Sequence, residues 1–451
     1  VSTDVTESHA GASRPSLATS RRLFAAAVVF VVVGYAVIIR CGWQLTRLDW
    51  ISAILASGAF AYSFWLADPV PMTDAAIKRD EMFSQFAIFA AFLVLYAITA
   101  GSGTSPFNAH VRQAVALVHG HSYIDAPVYI EHAHFEGHDY QLHPPMPSFL
   151  LMPFAAIWGM DTNQTMFSIM LGAISLALAW RMLGKFPIDL NARIWLTAFF
   201  GAGTIIWFEA TNGGSWELTM VVAVLFTILA LDEIFGQARG ALVGLWAACA
   251  ALSRYDLAFV WPIYVLLIWL KRKSIADVTW MMPGFIMAGL VYLTLNEVRY
   301  HSLFDQGAFL FESHQTHFFG VRNIPGNISV LLFSAPAVDD RFPYFHPTIG
   351  GQSILLTSPA FILALRPSFR RLTTTLIGIA ALIGMTPVML FFGSGASQFG
   401  ARHFVQIYPF LLALLAMGVP RRVDQLTRIL IGVSIFFVGF GIWHIGVFGF
   451  G

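Results

Sequence analysis

Residues 144–160 read PPMPSFLLMPFAAIWGM, and their placement decides the path of everything that follows. The run is apolar and about as long as the shortest helix that spans a bilayer. If it crossed, every later loop would change sides. Of the eighteen Lys and Arg beyond position 160, thirteen would then lie outside and five inside. Basic residues favour the cytoplasmic side, so the charge bias argues against a crossing. Prolines at 144, 145, 147 and 153 also suit a bent interfacial or re-entrant piece better than a regular span. The segment is therefore read as an outer-side juxtamembrane helix.

The rest of the chain has the composition of a membrane protein. Of 451 residues, 57% are hydrophobic and 11% charged, against roughly 25% charged in ordinary soluble proteins. A net charge of +1 gives no overall field to attract nucleic acid. The two cysteines, Cys41 and Cys249, sit in or beside apolar runs and form no disulfide framework. The reading is an all-α polytopic membrane protein of about thirteen spans: 23–40, 49–66, 83–100, 165–183, 194–209, 215–232, 239–253, 256–270, 278–297, 353–366, 373–392, 403–419 and 428–447. Residues 1–22 form a disordered cytoplasmic tail, and Arg21-Arg22 before a long apolar run reads as a retained signal anchor. Residues 23–451 form one transmembrane domain, with the N-terminus cytoplasmic and the C-terminus outside. This orientation leaves 18 of the 26 Lys and Arg on the cytoplasmic side. Two long outer loops result, 101–164 and 298–352, and no internal repeat of the transporter kind is visible.

Chemistry is expected in those loops. In the first, Val111, Ala114, Val115 and Val118 mark one apolar helical face. His110, Arg112, Gln113 and Ala116 lie opposite, so the helix is expected to lie on the outer leaflet and to stop at Gly120. Next comes a stretch with Asp125, Glu131, Glu136 and Asp139, any of which is a candidate general base or a solvated loop acid. His110, His119, His121, His132, His134, His138 and His143 make up half of the chain's histidines. The pairs 119/121 and 132/134 have a loose metal-ligand spacing with no HExxH-type motif behind them, so no metal site is assigned.

The order of features resembles the GT-C membrane glycosyltransferases. It is nearest the family-39-like group, which includes protein mannosyltransferases and the aminoarabinose transferase of lipid A. The resemblance is carried by 108–120, by YQLHPPMPSFLLMPFAAIWG at 140–159 and by FGARHFVQIYPFLLALL at 399–415. It implies transfer of a sugar from a polyprenyl-phosphate carrier to a glycan, lipid or protein acceptor on the outer side of a bacterial inner membrane. An outer-loop aspartate would act as base. No cofactor is required, and a divalent metal is not favoured. The family's acid usually precedes the amphipathic helix, but here Ser105, Pro106, Phe107 and Asn108 stand there, and Asn cannot take up a proton in this role. The base then falls to Asp125 or Asp139, or the chain is a noncatalytic relative. Candidate substrate-binding residues are Asn108, His110, Arg112, Glu131, Tyr140, His143, Arg254, Arg402 and His403.

Arg402 opens a span after the flexible run 393–401, where it is either a phosphate ligand or a snorkelling interfacial arginine. Arg254 beside Asp256 reads equally as a phosphate ligand or a local ion pair. In TNGGSWE (211–217), a tight Gly-Gly turn with an interfacial Trp anchor is favoured over a groove lined by Trp216 and Glu217. A transporter or flippase of a lipid-linked substrate is the alternative class; it predicts charges buried in mid-span and broken helices.

Overall fold

The computed structural model describes residues 74–449 apart from 102, 126–131, 306, 308–318, 341, 394 and 396. The tail and the expected spans 23–40 and 49–66 lie outside the described residues. The described chain is mostly helical and carries two short two-stranded ribbons, which the all-α expectation did not include. Among the described residues, six helices are long and apolar enough to cross a membrane, or seven if one bent pair counts as a single span. The protein is a multi-pass membrane protein.

The helices in chain order are α1 (Asp74–Thr99), α2 (Ala109–Val118), α3 (Met146–Trp158), α4 (Gln164–Leu183), α5 (Leu190–Ala202), α6 (Ile206–Asn212), α7 (Ser215–Phe235), α8 (Gly240–Ser253), α9 (Trp261–Arg272), α10 (Ile275–Thr279), α11 (Met282–Tyr300), α12 (Ile324–Phe333), α13 (Ile354–Thr357), α14 (Leu372–Leu390), α15 (Tyr408–Gly418) and α16 (Gln425–Phe448). Between α2 and α3 the hairpin β1 (His132–Phe135) and β2 (His138–Gln141) pairs antiparallel, with His134 opposite Asp139. A second ribbon, β3 (Ala337–Val338) with β4 (Phe345–His346), lies between α12 and α13.

Several expected spans are interrupted. The expected 194–209 span is the pair α5 and α6, bent by 46°. The expected 256–270, 353–366 and 403–419 spans each contain a 3-10 stretch: Tyr255–Val260, Pro359–Leu365 and Arg402–Ile407. Pro359 is the first residue of its 3-10 stretch and Pro409 the second of α15, positions in the first turn where a missing N–H costs nothing.

The core is built around α7, whose apolar window is 89% buried. Large fully buried side chains of other helices belong to the same core, among them Trp180, Phe199, Phe200, Tyr264 and Phe410. Polar bonds pin helices where apolar packing alone lacks direction: the Tyr96 hydroxyl donates to the Gly201 carbonyl (2.8 Å) and the Trp207 indole to Thr99 Oγ1 (2.8 Å). At the rim, α8 meets α10 and α11 backbone to backbone. A Cβ on Gly244 would lie 2.5 Å from the Met281 carbonyl oxygen, and one on Gly284 would lie 2.3 Å from that of Gly244. By contrast, only 11% of the apolar window in 275–300 is buried.

Ion pairs join many elements at one end of the bundle. Asp232 at the end of α7 meets Arg181 (2.8 Å) and Lys185 (2.6 Å) from the end of α4. Lys271 donates to the Ile234 and Gly236 carbonyls, Arg422 reaches Asp189, Arg366 reaches Asp424, and Arg193 joins Glu81. The charge pattern of the sequence had assigned all these basic residues to one side.

The segment at 144–160 begins and ends at the opposite end. After α3, the first turn of α4 bonds straight back to the chain that leaves α1: the Gln164 N–H donates to Thr104 Oγ1 (3.1 Å) and the Ser105 N–H to Thr165 Oγ1 (2.9 Å). Thus α3 packs on α2, and the chain re-enters the bundle beside the point where it left α1.

Candidate functional site

The site is assembled where the loop between α1 and α4 meets the starts of α4 and α7. The residues at 213–214 allow the close approach. Gly213 takes a left-handed conformation at the end of α6 (φ +59°), and a Cβ there would lie 2.6 Å from Thr165 Cα. Gly214 caps α7 in an extended conformation. Ser215 then donates to the Phe107 carbonyl (2.7 Å) and accepts from the Ala109 N–H (2.9 Å), fixing the start of α2 against the start of α7.

His110 lies at the centre of this joint and has no solvent exposure. Its Nε2 lies 3.0 Å from the Ser215 carbonyl and 2.9 Å from Thr219 Oγ1; its Nδ1 lies 2.9 Å from the Gln141 amide and 3.0 Å from Ser148 Oγ. A carbonyl can only accept, so Nε2 carries the proton and Nδ1 accepts. One ring therefore ties together α2, β2, α3 and α7. Burial pushes His110 down to about 3, with the Ser215 carbonyl opposing, so the ring is neutral. The His143 ring lies tilted against it at 5.4 Å and is also held well below the ordinary histidine range, first by burial and then by His110, Arg402 and Arg254.

The polar flank of α2 faces inward, contrary to the picture of a helix lying on the leaflet with that flank exposed. Gln113 is buried and accepts from Arg299 Nη2 (3.0 Å), while Arg299 Nη1 donates to the Gln141 carbonyl (3.2 Å). Val118, on the apolar face, is exposed. Specific partners for His110 and Gln113 outweigh the burial of one valine.

Arg402 is not a rim arginine reaching for the interface. It is 6% exposed, and its Nη1 lies 3.3 Å from Oε1 of Glu217, itself 2% exposed. The guanidinium also lies over the Trp216 ring (5.3 Å to the centroid), and that ring meets Phe107 and His143 edge-on. Asn212 donates to the same Glu217 oxygen (3.0 Å). Arg254 pairs with Asp256 (3.1 Å), which also accepts from Gln406 Nε2 (2.7 Å), so the local ion pair forms. Glu209, in the bent pair, is fully buried.

The other candidates are spread more widely. Asp125 is exposed, with its carbonyl accepting from Arg112 Nη1 (3.1 Å); Arg112 Nε donates to Asn108 Oδ1 (3.0 Å). Asp139 lies on β2, with one oxygen 3.0 Å from His134 Nδ1 and 3.5 Å from His132 Nε2. Tyr140 packs against Ala133 and Tyr300, and burial raises its phenol above the ordinary range. His403 is half-buried against Phe391. Glu131 lies outside the described residues. The acid that meets Arg402 is thus Glu217 rather than a first-loop aspartate. Among the described residues, no group of three or more His, Cys, Asp or Glu is placed to hold a metal ion.

Residues outside the candidate set complete the joint: Gln141, Ser148, Ser215, Thr219 and Arg299. Ser215 and Thr219, one helical turn apart at the start of an apolar span, were the available signal. A cavity of about 260 Å³ opens alongside, lined by Thr99, Thr104, Ser105, Thr165, Asn212 and Ile442 among others. Comparison with known proteins finds no matching family model, no similar curated protein and no similar solved structure.

Proposed function

We propose that the chain is a GT-C-type glycosyltransferase, which moves a sugar from a polyprenyl-phosphate carrier to an acceptor on the outer side of a bacterial inner membrane. The observation that supports this reading is Arg402, a buried guanidinium over an aromatic ring at the end of an apolar bundle. Such a group suits the head of a phospholipid-like carrier whose tail lies along the helices. In the reaction the acceptor hydroxyl attacks the anomeric carbon and gives its proton to Asp125 or Asp139. The bond from that carbon to the phosphate oxygen breaks, and the polyprenyl phosphate stays with Arg402.

The test is sugar transfer in proteoliposomes with a panel of radiolabelled polyprenyl-phosphate sugars, comparing wild type with Asp125→Asn, Asp139→Asn and Arg402→Ala. The expected result is turnover abolished by Arg402→Ala and by one of the two aspartate changes, with folding intact. Carrier left uncleaved across the panel, or turnover indifferent to all three changes, refutes the reading. One observation favours a second reading, a transporter of a lipid-linked substrate: the bent pair α5 and α6 carries the buried carboxyl of Glu209. That reading predicts carrier movement across the vesicle without cleavage.

A further inference from the structure

Two buried carboxyls share one guanidinium in this layer, and the charges do not balance. Glu209 and Glu217 are 0% and 2% exposed, and the charged groups acting on Glu209 are Glu217 and Arg402. Among the described residues, no charged side chain from α1, α4, α5 or α16, which pack against α6, acts on it. Arg254 offers no spare charge, because Asp256 already pairs with it. The two carboxyls also differ in their bonding. Oε1 of Glu217 receives both Arg402 and Asn212, whereas neither oxygen of Glu209 has a hydrogen-bond partner among the described residues. The Tyr408 hydroxyl, buried near Glu209, and Arg402 Nε also lack partners.

An ionised carboxylate is a pure acceptor that needs several donors, and in a water-excluded site without them it takes up a proton instead. We infer that Glu209 and Glu217 form a proton-binding site, in which Glu209 holds one proton while Glu217 is tied to Arg402, and a second proton on Glu217 frees the guanidinium. The ligand is the proton, and the group it controls is Arg402. Two interacting acids titrate as a pair, so the two protons enter in separate steps. The first keeps the layer neutral: one carboxylate against one guanidinium. The second leaves Arg402 with its positive charge uncompensated and ready for an anion. This holds whether that anion is a sugar carrier or some other ligand, so the inference does not depend on the proposed transferase activity.

The test is infrared spectroscopy of the full-length protein in lipid vesicles, following the C=O band of protonated carboxyls against pH. At neutral pH wild type is expected to show a band that Glu209→Gln lacks. On acidification a second band is expected, absent from Glu217→Gln. Should Glu209→Gln not fold, wild type with ¹³C-labelled glutamate decides the first step, because the neutral-pH band must shift with the label. A neutral-pH spectrum without a glutamate band, or ¹³C-shifted glutamate bands that survive both substitutions, would overturn the inference.

Discussion

Lowering the pH should loosen the joint around His110, and the size of the effect follows from its surroundings. The ring is neutral when folded because Nδ1 accepts from donors and burial holds the group near 3, whereas an unfolded histidine titrates at 6.5. Between those values the unfolded chain binds the extra proton, so stability is full above about pH 6.5 and falls as the pH drops toward 3. Each unit in that window costs about 1.4 kcal/mol per histidine, hence about 2 kcal/mol from His110 at pH 5. His143, also depressed by burial, adds in the same direction. SDS-titration unfolding in mixed micelles, run from pH 7.5 to 5, measures this directly. His110→Gln is the control. At pH 7.5 it should cost about 2 kcal/mol, since several buried partners lose their bonds, but its stability should fall less steeply with acid. The gap between the two proteins therefore narrows as pH falls. A wild type with flat stability over this range, or a gap that does not narrow, would refute the argument.

The remaining predictions concern the start of α7. Arg402→Met leaves Glu217 buried without its cation and should cost about 3–5 kcal/mol in the same titration; a loss under about 1 kcal/mol would mean the pair behaves like an exposed one. Gly214→Ala would bring a Cβ within 2.4 Å of Glu217 Oε2 and push the carboxylate off Arg402. Combined with Glu217→Gln it should cost clearly less than the sum of the two, as a double-mutant cycle would show. Gly213→Ala imposes a left-handed φ on a residue with a side chain and meets the Thr165 backbone, for about 1–3 kcal/mol or more. Full stability in that variant would contradict the tight turn.

Much of the scaffold could be read from apolar runs, because a helix in lipid must satisfy its own backbone and shows as a continuous hydrophobic stretch. The end of α2 just before Gly120 was legible for a local reason, since the positive φ there suits glycine. The hairpin was not: four-residue strands rich in histidine carry no apolar alternation, and their turn, at Glu136-Gly137, uses two positive φ values that only Gly137 signals. The Arg402–Glu217 contact joins residues 185 positions apart, and no periodicity encodes such a pair. Glu217 was noticed but read as part of a turn. The turn is real, and it is also what delivers the carboxyl to the guanidinium. The inward flank of α2 was misjudged because a leaflet-facing helix and a helix with buried polar partners have the same sequence pattern until the partners are known.

The glycine crossing of α8 with α10 and α11 has a consequence for how this protein can vary over generations. Most of 275–300 faces outward, where leucine, isoleucine, valine and phenylalanine are nearly interchangeable, so that stretch is free to drift. Gly244 and Gly284 have no such freedom, because a single added methyl at either would strike backbone that cannot yield. Inherited constraint on this rim helix should therefore be concentrated in a few atoms of empty space, and a collection of tolerated variants would show a nearly blank stretch punctuated by small residues at those positions.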